Sequence, residues 1–93
     1  MKLEGLQPIG SVIRLKDGKK KLMITGLAQR VIETGVLYDY SAVMFPEGFF
    51  DGDHMYFFND DAIGEVFFTG YINDDTYVEI ASAVATINKE REE

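Results

Sequence analysis

Turn signals cut this chain into segments too short for most helices and well suited to strands. Asp17-Gly18, Glu33-Thr34-Gly35 and Pro46-Glu47-Gly48 each pair a glycine with turn-forming or strand-breaking neighbours. Glycine accepts the positive φ of a tight turn, and proline cannot donate to a β-ladder. A fold built on these segments is a meander of short antiparallel strands.

The segments carry the period-two pattern that such strands need. Ser11–Lys16 alternates, with Ile13 and Leu15 on one face. The return segment ends near Val31 and is long enough to bend, and Gly26 inside it is the expected bend. In the third segment Val36, Tyr38, Tyr40, Ala42 and Met44 share one face and are the expected core, with Asp39 and Ser41 on the other. Strands are predicted over about 11–16, 22–31, 36–45, 54–58 and 65–71. Asn59-Asp60-Asp61-Ala62-Ile63 reads as a single helical turn capped by Asn59, with Ile63 directed inward. A helix is predicted over about 75–90, entered by a Thr76–Glu79 capping box with Asp74 and Asp75 at its positive end. Its apolar stripe is Tyr77, Ile80, Ala81, Val84 and Ile87, and the Lys89–Glu93 tail is expected to fray.

The expected architecture is α+β: one domain with a small, strongly bent antiparallel sheet of about five strands and a C-terminal helix packed on it. An SH3-like, partly closed barrel is the first choice, and an open curved sheet under the helix is the alternative. With 46% hydrophobic residues in 93, a packed core needs no disulfide, and the chain has no cysteine to make one.

Charge narrows the function classes. Residues 1–31 hold seven Lys/Arg against two Asp/Glu, a balance of +5, and residues 32–93 hold two against fourteen, a balance of −12. The total of −7 argues against nucleic acid as a partner. Lys19-Lys20-Lys21 is the one basic cluster and falls at a turn, where it serves solubility. The apolar runs are far too short for a membrane span, and residues 1–10 lack the pattern of a secretory signal, so the expected compartment is the cytoplasm.

Catalytic chemistry is hard to assemble from these residues. His54 is the single histidine and has no nucleophile or orienting group that the sequence can name. Phosphate-cradling glycine loops and the G-x-S-x-G elbow are absent. Asp51-Gly52-Asp53 and Asn59-Asp60-Asp61 lack the EF-hand pattern and read as caps and turns. No catalytic residue, cofactor or metal site is expected, and the chain is not expected to be an enzyme. Aromatics are the surplus: Phe49, Phe50, Tyr56, Phe57, Phe58, Phe67, Phe68 and Tyr71 exceed what one inner face holds. An uncovered remainder is a protein-binding or self-association surface, with Phe49, Phe50, Tyr56, Phe58 and Phe68 as candidate contacts.

Pro8-Ile9-Gly10-Ser11-Val12, Lys20–Gly26, Tyr38-Asp39-Tyr40, Phe45-Pro46-Glu47-Gly48, Phe57-Phe58-Asn59 with Ile63, and Val66–Tyr71 occur in an order and spacing that resemble domain-of-unknown-function family 4176 over about residues 7–72. The resemblance implies a small protein of Gram-positive bacteria encoded beside type VII secretion genes and LXG toxins. It implies a cytoplasmic adaptor, targeting or chaperone-like role for a secreted effector, without catalysis. Two alternatives stand beside it: a self-associating protein, such as a homodimer formed through unpaired strand edges, and a small-molecule or metal-binding domain using the acidic loops.

Overall fold

The computed structural model describes residues 3–92 of the chain. The strands are β1 (Val12–Leu15), β2 (Lys21–Arg30), β3 (Leu37–Met44), β4 (Tyr56–Phe58) and β5 (Ile63–Phe68), followed by helix α1 (Asp74–Glu92). One-turn 3₁₀ segments at Gly52–His54 and Asp60–Ala62 flank β4. The strands form one antiparallel sheet in the order β4-β3-β2-β1-β5. The bent sheet and its helix are as expected, but the sheet is open, with β4 and β5 as opposite edges. The edge strands are poorly built for closure. β4 has three residues. Along β5 the register steps from Val12↔Phe68 to Ile13↔Val66 and from Arg14↔Glu65 to Leu15↔Ile63, which leaves Phe67 and Gly64 as bulges.

Alternation places the core. Leu22↔Met44 and Ile24↔Ala42 face each other across β2 and β3, and Ile13, Leu22, Ile24, Tyr40, Ala42 and Phe58 form one buried cluster. Leu6, Leu15, Met44 and Ile63 pack around it. Val36, expected in this core, precedes β3 and is exposed.

The opposite face of β3 is also covered, which alternation did not predict. Asp39 and Ser41 are buried. Ser41 Oγ meets Thr25 Oγ1 at 3.1 Å, and α1 lies across β2 and β3. Gly26 is needed here for space: a Cβ would stand 2.7 Å from Ser41 Oγ. The register slips between Ile24 and Gly26, so the bend falls where expected. Ala28, two residues on, takes a left-handed φ of 52°. By contrast, Gly18 does not use a positive φ. Its turn is held by Gly18 N–H donating to Leu15 O at 3.0 Å and by Arg14 Nη1 donating to Leu15 O and Gly18 O.

The helix begins earlier than the Thr76–Glu79 box suggests. Asn73 is the cap: Thr76 N–H donates to Asn73 Oδ1 at 2.9 Å, and Asn73 N–H donates to Thr76 Oγ1 at 3.0 Å. This is the reciprocal logic of a capping box, with Thr76 in the third helical position. The inward stripe holds Ile80, Ala83, Val84, Ile87 and Asn88, whereas Tyr77 and Ala81 are exposed.

Three polar ties anchor the C-terminal half of α1, so the segment expected to fray is held through Arg91. Leu3 N–H donates to Asn88 Oδ1 at 2.9 Å, and Asn88 Nδ2 donates to Leu3 O at 2.8 Å. Arg30 pairs with Glu90 at 2.6 Å. Arg91 pairs with Asp39 at 2.6 Å, where the arginine is 37% exposed and the aspartate 2%. Removing one partner of a buried pair strands the other charge, at about 3–5 kcal/mol, and partial solvent access to Arg91 lowers the figure here. Arg91→Met is therefore expected to destabilise by about 2–3 kcal/mol in urea unfolding, while Arg30→Met at the exposed pair costs less than about 1 kcal/mol.

Candidate protein-binding surfaces

The main concentration of polar groups is where β3, the Asp60–Ala62 turn, the leader (residues 3–11, ahead of β1) and α1 meet. Asp39 N–H donates to Asn59 Oδ1 at 3.0 Å, Asp60 N–H donates to Asp39 Oδ2 at 2.7 Å, and Arg91 Nη2 reaches Asn59 Oδ1 at 3.0 Å. Asn59 is thus committed to β3 and α1 and does not cap its turn with its side chain. Tyr40 donates its hydroxyl to Asp60 and accepts from Gln7 N–H at 2.8 Å. The open cleft above, about 470 Å³, is lined by Leu3, Glu4, Asp39, Asp60, Asp61 and Arg91. Among the described residues no buried side-chain nitrogen or oxygen lacks a hydrogen-bond partner, and no three His, Asp or Glu side chains converge to hold a metal. The network's groups are used up in joining four parts of the chain.

Its pH response follows from Tyr40. Burial first, then the hydrogen bond to Asp60, pushes the Tyr40 hydroxyl far above the ordinary phenol range. A folded value above the unfolded one means the contribution is complete below about pH 10 and is lost as pH rises beyond it. Tyr40→Phe is expected to cost about 1–2 kcal/mol at neutral pH. The gap from the parent protein should narrow above about pH 10, which urea unfolding at neutral and alkaline pH would measure.

The β3–β4 connection forms the first exposed aromatic surface. Phe49 and Phe50 are 64% and 57% exposed. The Phe50 ring lies 4.3 Å from His54, and His54 Nδ1 meets Asp51 Oδ1 at 2.7 Å. That bond holds the Asp51 carboxyl below the usual carboxylate range. Asp51 also caps the 3₁₀ turn by accepting from Asp53 N–H. On the other side of the Phe45–Gly48 turn, Lys19, Lys20, Lys21, Phe45, Pro46 and Phe67 line a groove of about 450 Å³. Lys20 bonds Glu47 at 2.6 Å, and Lys21 Nζ lies 4.9 Å from the Phe67 ring centre.

The second surface runs from the end of β5 into the start of α1. Phe68, Tyr71, Tyr77 and Val78 are 61–80% exposed, and Ile9 and Ile72 are exposed beside them in the chain or across the fold. Ile9, Leu27, Tyr71, Asp75, Thr76 and Glu79 line a pocket of about 210 Å³ that joins the leader, the β2 bend and the helix start. Its charges are all of one sign.

The structure therefore divides the predicted contact set. Phe49 and Phe50 share one loop, and Tyr56, 40% exposed, opens the strand that follows. Phe68 lies on the opposite edge strand and does not join them. Phe58 is 5% exposed, its ring centre 5.4 Å from that of Tyr40, and it belongs to the core and not to a surface. Tyr77 and Val78 were missed because helical spacing assigned Tyr77 to the buried stripe.

The family model for a domain of unknown function, DUF4176, matches residues 6–78. The chain belongs to the DUF4176 family. No curated protein and no solved structure matches it. The DUF4176 match takes in the whole sheet and both aromatic surfaces and ends five residues into α1, so Ala83, Ile87, Asn88 and Arg91 lie beyond it. Several fragments that pointed to DUF4176 have architectural work. Pro8–Ser11 packs against Gly70, and Asp39, Tyr40 and Asn59 build the polar network. Among the described residues no helix is long and apolar enough to cross a membrane.

Proposed function

We propose that this DUF4176 protein is a non-catalytic, protein-binding accessory that recognises a basic, apolar segment of its partner through Phe68, Tyr71, Ile72, Tyr77 and Val78. The observation that carries this reading is the run of large apolar side chains left open within eleven residues, 40–80% exposed. Soluble domains seldom expose such a patch without a use for it. Asp74, Asp75 and Glu79 flank it without a nearby lysine or arginine in sequence, so the complementary partner surface is cationic around an apolar anchor that enters the Tyr71 pocket. The family resemblance extends the proposal: the partner is an LXG-type effector of a type VII secretion system, and the protein acts in the cytoplasm as its adaptor, targeting or chaperone-like factor.

Co-expression of the tagged protein with an LXG protein encoded beside it tests this. Stoichiometric co-purification is expected, lost in Tyr71→Asp/Tyr77→Asp and kept in the parent. Equal recovery from that variant would move the contact elsewhere, and no recovery from the parent would sink the adaptor reading.

A further inference from the structure

We propose that the end of the sheet formed by Lys19–Lys21 and the Phe45–Asp53 connection is an interface between two copies of this chain. A two-fold axis passes through Phe45 and Phe49, and the lysines of each copy face the acidic loop of the other. This surface is separate from the one assigned to the effector partner.

Charge complementarity identifies the occupant. On one side of the aromatic strip, Lys19 and Lys21 have no carboxylate partner among the described residues; on the other, Asp53 has no cation. A patch of one sign selects a partner of the opposite sign. A patch with both signs flanking an aromatic centre is complementary to itself, and a two-fold axis satisfies both contacts at once. The Tyr71 surface, acidic throughout, would instead repel its own copy.

Area points the same way. Phe45, Phe49, Phe50 and Phe67 are 38–64% exposed. At roughly 150–250 Å² per aromatic side chain, they offer on the order of 400 Å². Lysine stems and loop backbone add to this, toward the ~800 Å² per partner of a stable interface. Dimerisation through strand edges is less suited to this sheet, because β4 is short and β5 carries two bulges.

Sedimentation of the full chain across a wide concentration range, with charge reversals, tests the interface. The parent should show a monomer–dimer equilibrium that weakens with added salt. Lys19→Glu/Lys21→Glu and Asp53→Lys should each weaken self-association about tenfold or more. Mixing the two variants should restore it, since every reversed contact becomes attractive in the mixed pair. Unchanged circular dichroism confirms that both variants fold. A parent that stays monomeric at all concentrations overturns the proposal. So does a dimer indifferent to both reversals, or a mixture with no gain. Effector capture is read separately at Tyr71 and Tyr77, so either result can fail alone.

Discussion

Phe58→Ala is expected to lower stability by about 3–5 kcal/mol, whereas Phe50→Ala should change it by no more than about 0.5 kcal/mol. The two phenylalanines stand eight positions apart and are equally apolar, yet their surroundings differ. Phe58 lies opposite Tyr40 in the β3–β4 ladder and closes the buried cluster with Ile13, Leu22, Ile24 and Ala42. Truncation leaves a cavity next to Tyr40, whose hydroxyl holds the leader and the Asp60 turn. Phe50 touches the exposed His54 ring and little that is buried. Thermal unfolding resolves the contrast, since each kcal/mol moves the midpoint by roughly 4–8 °C in a domain of this size. A Phe58→Ala protein that melted like Phe50→Ala would remove Phe58 from the core.

Gly70→Ala is expected to cost about 3 kcal/mol or more, from overpacking combined with a lost buried hydrogen bond. A Cβ at Gly70 would overlap the Ile9 carbonyl oxygen and approach Ser11 N to 3.0 Å. Backbone atoms are the obstacle, so no side-chain rotation relieves the clash. Retreat of the chain would break the 3.0 Å bond from Gly70 N–H to Ser11 Oγ, whose own hydroxyl donates to Pro8 O at 2.7 Å. Gly35 is the control. It has a φ of 72° in open space, so Gly35→Ala meets only the left-handed penalty of about 1–2 kcal/mol. Urea unfolding of the two variants distinguishes a glycine required for close approach from one required for its φ. Equal losses would contradict the packing at Ile9.

Legibility of the fold varied with the range of the interaction that decided each position. The limits of β1 to β3, the bend at Gly26 and the glycine at the Gly35 turn followed from local pattern, whereas β4, expected from 54, starts at Tyr56 after the 3₁₀ turn, and β5, expected over 65–71, runs Ile63–Phe68. Asp39 and Ser41 did not, because alternation assumes one wet face, and only the position of α1 shows that both faces of β3 are covered. The start of the helix was placed within a residue, but its cap was misplaced by three because Asn73–Thr76 and Thr76–Glu79 both have the spacing of a capping box. Phe58 and Tyr56 share a strand face, so no periodicity could separate the core residue opposite Tyr40 from the exposed one opposite Ala42. The aromatic surplus was visible from composition, yet its division between two surfaces depends on strand order, which places Phe68 and Tyr56 on opposite edges.

The clasp between Leu3 and Asn88 has a mechanical consequence. It joins positions 85 apart in sequence through two hydrogen bonds, while Arg91 and Glu90, nearer the C-terminal end, tie the last helical turn to β3 and β2, so tension between the two ends of the described chain meets the three ties together. Each bond of the clasp contributes only about 1 kcal/mol, and the exposed Arg30–Glu90 pair adds no more. Once these ties part, the helix would peel from its last turn backwards and leave the strand ladders intact. Attachment at either end is in this sense attachment to a fuse, and the five-stranded sheet is the part that the fuse protects.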